Sequence, residues 1–225
     1  MTPITLDFES YYDKEYSLSK LTTEEYVRSD LFEAIGVSVK VGSGDTQWAS
    51  GTQGDISKFL HRFNWADAML IAHNARFDAA ILSWRFDIHP KMIADTMAMA
   101  RAIHGVEVRH SLAALVEFHG LGTKGTEVIN ALGKRRLEFS EEELSRYGDY
   151  CINDTELTYK LFNVLAETFP KDEFKLVDLT LKMFTEPVLT LDAFLLEQHL
   201  VDVQERKHAL MVKVAGGEPH WTGED

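Results

Sequence analysis

Ile4-Thr5-Leu6-Asp7-Phe8-Glu9-Ser10 alternates apolar and polar residues near the start of the chain. A period of two predicts a strand, and residues two apart on a strand share a face. Asp7 and Glu9 therefore project together, while Leu6 and Phe8 face the other way. Two carboxylates on a half-buried strand repel one another and lose hydration, so positive charge must sit between them.

Two further segments place carboxylates in the same awkward setting. Ile71-Ala72-His73-Asn74-Ala75-Arg76-Phe77-Asp78 follows a continuous apolar run, Ala68 to Ala72, that reads as a buried strand. Asn74 is expected to cap a helix reaching about Phe86, which puts Asp78 in its first turn. Tyr150 and Asp154, in Tyr150-Cys151-Ile152-Asn153-Asp154-Thr155, are four apart on a long predicted helix and share its face. Strand ends and helix N-termini converge on one cleft in sheets of this kind. A pair of divalent cations would neutralise such a cluster, and two-metal sites cleave phosphodiesters. Oxygen ligands suit Mg²⁺ or Mn²⁺ rather than zinc.

The remaining elements follow from pattern. Pro3 to Phe8 is the first strand, Ala34 to Val41 the second, and Thr46 to Ala49 a short return after Gly42-Ser43-Gly44-Asp45. Thr22-Thr23-Glu24-Glu25 resembles a capping box. Helical spacing predicts helices over 55–64, 95–104, 111–119, 126–132 and from Glu141 to about Thr168. Strands come early and helices late, which predicts an α/β fold with a mixed central sheet flanked by helices. Lys171 to about Glu186 and Ala193 to about Ala215 form a C-terminal helical extension, followed by a loose tail. The expected division is 1–170, 171–214 and 215–225.

The chain has 225 residues, 45% of them hydrophobic, enough for one large domain with a full core. No apolar run spans a bilayer, so no membrane partner is expected. Its single cysteine, Cys151, excludes an internal disulfide. A reducing cytoplasm is the expected setting. The net charge of −13 excludes a protein that coats duplex DNA by charge alone. It leaves room for an enzyme that takes a few nucleotides at a strand end, because bound Mg²⁺ reverses the local sign.

Asp-x-Glu, then Asn-x-x-x-Asp, then Tyr-x-x-x-Asp, in this order, resembles the three motifs of the DEDDy 3′→5′ exonucleases. The resemblance implies a ribonuclease H-like, DnaQ-like fold. It implies Asp7, Glu9, Asp78 and Asp154 as ligands of two Mg²⁺ ions, with Mn²⁺ able to substitute, and Tyr150 as the residue that orients the attacking water. Leu6 to Tyr12, Ser17 to Tyr26 and the segment from Glu173 to Leu210 are similar to bacteriophage family A DNA polymerases. That likeness covers about residues 1–214 and implies a proofreading domain, excised or stand-alone, whose polymerase domain is not in this chain and whose setting would be a host cytoplasm.

Substrate contacts are expected from Ser10, Tyr11 and Asn74, with Phe77 and Arg109. Tyr12, Arg76 and the Lys134-Arg135-Arg136 cluster are further candidates for bases or phosphates. The expected partner is the 3′ end of single-stranded DNA. An exoribonuclease of the same fold, a catalytically silent nucleic-acid-binding domain and a small-molecule phosphohydrolase are the alternatives. The absence of a glycine-rich phosphate loop speaks against the last, and the complete set of carboxylates against the silent domain.

Overall fold

The computed structural model describes residues 1–125 and 131–215. The chain divides into two compact units, Met1–Pro187 and Val188–Asp225. In the first, β1 (Thr2–Ser10) is the middle strand of a five-stranded sheet. β2 (Ala34–Val41) runs antiparallel to β1, and β3 (Thr46–Ser50) antiparallel to β2. On the other side β4 (Ala68–Ala72) and β5 (Met92–Asp95) run parallel to β1 and to each other. The order is β3-β2-β1-β4-β5, the mixed α/β sheet expected.

The alternation of β1 decides what each face carries. Leu6 and Phe8 are buried in the main apolar core, and the Phe8 ring stacks on Phe86 with centroids 5.8 Å apart. Burying side chains of this size contributes about 1.5–3 kcal/mol each. Phe86 ends α3 (Arg76–Phe86), which shares this face of the sheet with α1 (Thr23–Arg28). The opposite face, bearing Asp7 and Glu9, is crossed by the 26-residue α6 (Glu141–Ala166), which packs on β1, β2, β3 and β4.

Helix starts follow local chemistry. The Thr22–Glu25 capping box opens α1 as expected, and similar boxes at Thr52–Asp55 and Ser140–Glu143 open α2 (Gln53–Leu60) and α6. The cap at Thr52 explains why α2 starts before the expected 55–64, and the helix ends at Leu60 with His61 as its C-cap. α4 (Thr96–His104) and α5 (Leu112–Phe118) pack against α6 in a second apolar cluster. α7 (Lys171–Thr185) packs on α3 and β5 within the first unit, although 171–214 was expected to be one extension. The second unit contains α8 (Ala193–Ala215).

Three expectations need correction. β5 was not anticipated, because its four residues lead directly into α4. Asn74 does not cap α3. The N-cap is Ala75 and makes no side-chain cap bond, while Asn74 adopts a left-handed conformation with φ 63°. Asn tolerates that region better than most residues. The helix expected over 126–132 falls mainly outside the described residues, and Ala131 and Leu132 are not helical. The expected tail from 216 onward also lies outside them.

Candidate active site

Three elements deliver the carboxylates. β1 supplies Asp7 and Glu9, where the register against β2 shifts between Glu9 and Ser10. The first turn of α3 supplies Asp78, 3% exposed. Its Oδ1 accepts the Phe8 backbone N–H at 3.1 Å, which ties α3 to β1 between Asp7 and Glu9. α6 supplies Asp154, 5% exposed, and half-buried Tyr150 one turn earlier. The structure therefore brings together all five residues of the three motifs.

The electrostatics are those of a crowded acidic site. Burial, then the charge of Asp154, pushes the Asp7 carboxyl up to about 7. Burial and Asp7 push Glu9 and Asp78 well above the usual range. Burial also raises Asp154, against the opposing pull of Lys124. Each group favours its neutral form until positive charge arrives. Asp154 Oδ2 is paired with Lys124 Nζ at 2.7 Å, but Oδ1 is buried and has no hydrogen-bond partner among the described residues. An orphaned carboxylate oxygen beside other carboxylate oxygens is a hard donor set that fits a divalent cation. Asp7, Glu9, Asp78 and Asp154 are the residues that could hold it.

Several supporting groups were not legible beforehand. Lys124 lies between α5 and α6, its Nζ 5.3 Å from the Tyr150 ring centroid. Tyr147, also on α6, interacts with Glu9 and offsets part of the rise in its pKa. Asp95, at 5% exposure, is buried like Asp78 and Asp154, yet it has a structural task. Its Oδ1 accepts from the backbone N–H of Met97 and of Asn74, each at 2.9 Å, so it caps α4 and holds the left-handed turn before α3. His73 is kept neutral, its pKa lowered to about 4 by burial. Its Nε2 lies 3.0 Å from the His110 carbonyl and its Nδ1 2.9 Å from Thr96 Oγ1.

A cleft of about 290 Å³ opens beside Glu9, lined also by Phe8, Ser10, Tyr12, Ser17, Leu18, Tyr26 and Phe77. Of the expected substrate contacts, Ser10 and Phe77 line it. Tyr11 is buried instead, its hydroxyl donating to Asp13 at 2.6 Å and Arg135 stacked on its ring at 3.8 Å, while Tyr12 reaches the cleft. Asn74 and Arg109 are exposed, Arg109 in the segment between α4 and α5. Three of the other basic candidates have structural partners. Arg76 stacks on Phe184 of α7 at 4.1 Å, Lys134 pairs with Glu143 at 2.7 Å, and Arg135 with Glu33 at 3.2 Å.

The model of a family described as 3′-5′ exonuclease matches residues 22–169, more than half of the chain. This chain belongs to that family. The match takes in Asp78, Tyr150 and Asp154 but begins after Asp7 and Glu9, whose place in the exonuclease site rests on the geometry of β1. No curated protein sequence matches the exonuclease. Solved structures share its fold. Brucella melitensis NrnC with bound Mg²⁺ superposes with a TM-score of 0.56 at 17% identity, over 81% of each chain. Trypanosoma brucei RNase D gives 0.63 at 16% identity, over 84% of this chain and 68% of its own. The ribonuclease H-like exonuclease fold expected from the sequence is the fold observed. Among the described residues no helix is long and apolar enough to cross a membrane.

Proposed function

We propose that the protein is a Mg²⁺-dependent 3′→5′ exonuclease that removes nucleotides from a single-stranded DNA end and releases 5′-mononucleotides. The observation that carries this reading is the convergence of Asp7, Glu9, Asp78 and Asp154 on one acidic site, with Asp154 Oδ1 left without a partner among the described residues. Two divalent ions held by these carboxylates would supply Lewis-acid charge opposite the scissile phosphate. Asp7, on the central strand, would be shared between them. Tyr150 orients the attacking water from the helix turn before Asp154. The terminal base enters the cleft beside Glu9, where Phe77 and Tyr12 offer aromatic faces for stacking and Ser10 a hydroxyl. An unpaired end fits so narrow a site, and frayed, mismatched ends reach it at low cost.

The likeness of the first and last segments to bacteriophage family A polymerases favours DNA and a proofreading task beside a polymerase domain. An exoribonuclease is the second reading. The structural neighbours favour it, since one is an RNase D and another is NrnC bound to pGG.

A 5′-labelled single-stranded DNA and its RNA counterpart, incubated with Mg²⁺ or with chelator, separate these readings. The expected result is a metal-dependent ladder shortening from the 3′ end of DNA, lost in Asp7→Ala. A faster ladder on RNA would transfer the assignment to RNA processing. Undiminished cleavage by Asp7→Ala would remove the site.

A further inference from the structure

The thiol of Cys151 points into the acidic site. It is fully buried on α6 between Tyr147 and Asp154, on the helix face that covers β1 and β2. Its Sγ lies 3.3 Å from the Asp7 carbonyl and 3.4 Å from Asp7 Oδ2, and donates to one or the other. On its far side Ser38 of β2 fixes it, with Oγ 3.2 Å from Sγ and 2.9 Å from the Cys151 carbonyl. Ligand atoms of Asp7, Glu9 and Cys151 all lie within 4.8 Å of one another.

That donor set differs in kind from the four carboxylates. Mg²⁺ takes oxygen and leaves sulfur alone, whereas zinc and its softer neighbours bind thiolate and carboxylate together. Bonds of about 2.0–2.3 Å to a tetrahedral ion place donor atoms about 3–4 Å apart, so modest side-chain rotation would close the present spacing. Three protein ligands with a fourth position open is a common zinc arrangement. The charge of Asp154 acts on both Asp7 and Glu9, and its buried Oδ1 has no hydrogen-bond partner among the described residues.

We infer that Asp7, Glu9 and Cys151 form a site for a thiophilic divalent cation such as Cd²⁺ or Zn²⁺, overlapping the Mg²⁺ position and exclusive of it. As the sulfur–metal bond forms, the thiol proton passes to solvent and no redox change occurs. An ion so held occupies Asp7 and Glu9 and draws them toward α6. It therefore inhibits, and this consequence, unlike the binding, rests on the exonuclease reading.

Cd²⁺ alone, titrated into the full chain and followed by ultraviolet absorption, tests the binding. The sequence has one cysteine, so a sulfur-to-cadmium charge-transfer band can arise from no other residue. The expected band saturates, is absent from Cys151→Ser, weakens in affinity by at least about tenfold in Asp7→Asn, and is displaced by excess Mg²⁺. Cd²⁺ should also raise the melting temperature of the wild type more than that of Cys151→Ser, because it binds the folded chain. The inference falls if the wild type shows no band, if Asp7→Asn binds Cd²⁺ equally well, or if Cd²⁺ lowers the melting temperature by capturing the thiol of unfolded protein. In the Mg²⁺-supported nuclease assay, the inhibitory Cd²⁺ concentration should rise at least about tenfold in Cys151→Ser. A Cys151-dependent band without nuclease activity under any metal would leave this site standing and remove the exonuclease reading. Nuclease activity without the band would remove this site alone.

Discussion

Lys124 and Tyr150 share Asp154, and their tasks can be separated. The Lys124 ammonium neutralises one oxygen of a buried carboxylate at 2.7 Å, so truncating it strands a charge. Leaving a buried polar group unsatisfied costs about 1–3 kcal/mol. Lys124→Ala should destabilise the metal-free protein on that scale, as read by urea denaturation, and Mg²⁺ should recover much of the loss. An equal loss with and without Mg²⁺ would show that the lysine does not stand in for a cation. Tyr150→Phe keeps the ring under Lys124 and removes only the hydroxyl. Turnover should fall by about 10–100-fold while Mg²⁺ affinity, measured by calorimetry, changes little, as for a positioning group outside the ligand set. Matched losses of rate and affinity would contradict the water-orienting role. The carboxylates and Tyr150 were legible because periods of two and four place side chains on one face without any tertiary knowledge. Lys124 was not, since the loop from Gly120 to Gly125 has no periodicity and its reach to α6 depends on packing. Of the two tyrosines offered for the cleft, Tyr12 lines it and Tyr11 is buried, for a related reason. The register shift at Glu9 and Ser10 interrupts the alternation that carries Asp7 and Glu9 to one face.

At the scale of elements, α6 positions Tyr150 and Asp154 only if it lies close against β2 and β3. Trp48 of β3 sets that approach. A Cβ on Gly36 of β2 would come within 2.2 Å of the indole, and one on Gly148 of α6 within 2.8 Å. The indole thus fills the space left by two missing side chains. Gly148→Ala is therefore expected to destabilise, even though alanine in a helix interior gains about 1 kcal/mol over glycine. Overpacking costs about 1–3 kcal/mol, so the net effect should be a loss of up to about 2 kcal/mol in urea or thermal unfolding, with reduced cleavage as Asp154 shifts. A stabilised Gly148→Ala would show that α6 has room to spare. Sequence pattern found α6 because 26 residues of helical spacing with a capped start leave little choice. It missed β5 because Met92 to Asp95 is too short to show a period of its own and runs into α4. The Asp95 side chain that caps the start of α4 also holds Asn74, a long-range bond that local capping preference for Asn74 could not reveal.

For the whole molecule the acidic site is a cost of folding that a cation offsets. Asp7 rises from an ordinary 3.8 to about 7, and Glu9, Asp78, Asp95 and Asp154 also rise. A carboxyl whose pKa is higher folded than unfolded binds more protons in the folded state between those two values. Stability then falls as pH increases across the interval. The contribution is fully present below the unfolded value near 4 and is lost as pH passes the folded value, about 7 for Asp7. The formal net charge of −13 adds self-repulsion in the same direction as carboxyls ionise. Metal-free protein should thus melt at a higher temperature near about pH 5.5 than near about pH 8, the reverse of a protein held by carboxylate ion pairs. Mg²⁺ binds the ionised carboxylates, so its affinity should increase with pH and its binding should release protons. Its stabilising effect should accordingly be largest near about pH 8, where the free protein is weakest, and small near about pH 5.5. Melting curves with chelator and with Mg²⁺ across this range test the coupling. A metal-free melting temperature that rises steadily with pH would mean that the carboxylates are not clustered as described. A Mg²⁺ shift independent of pH would mean that the ion binds away from them.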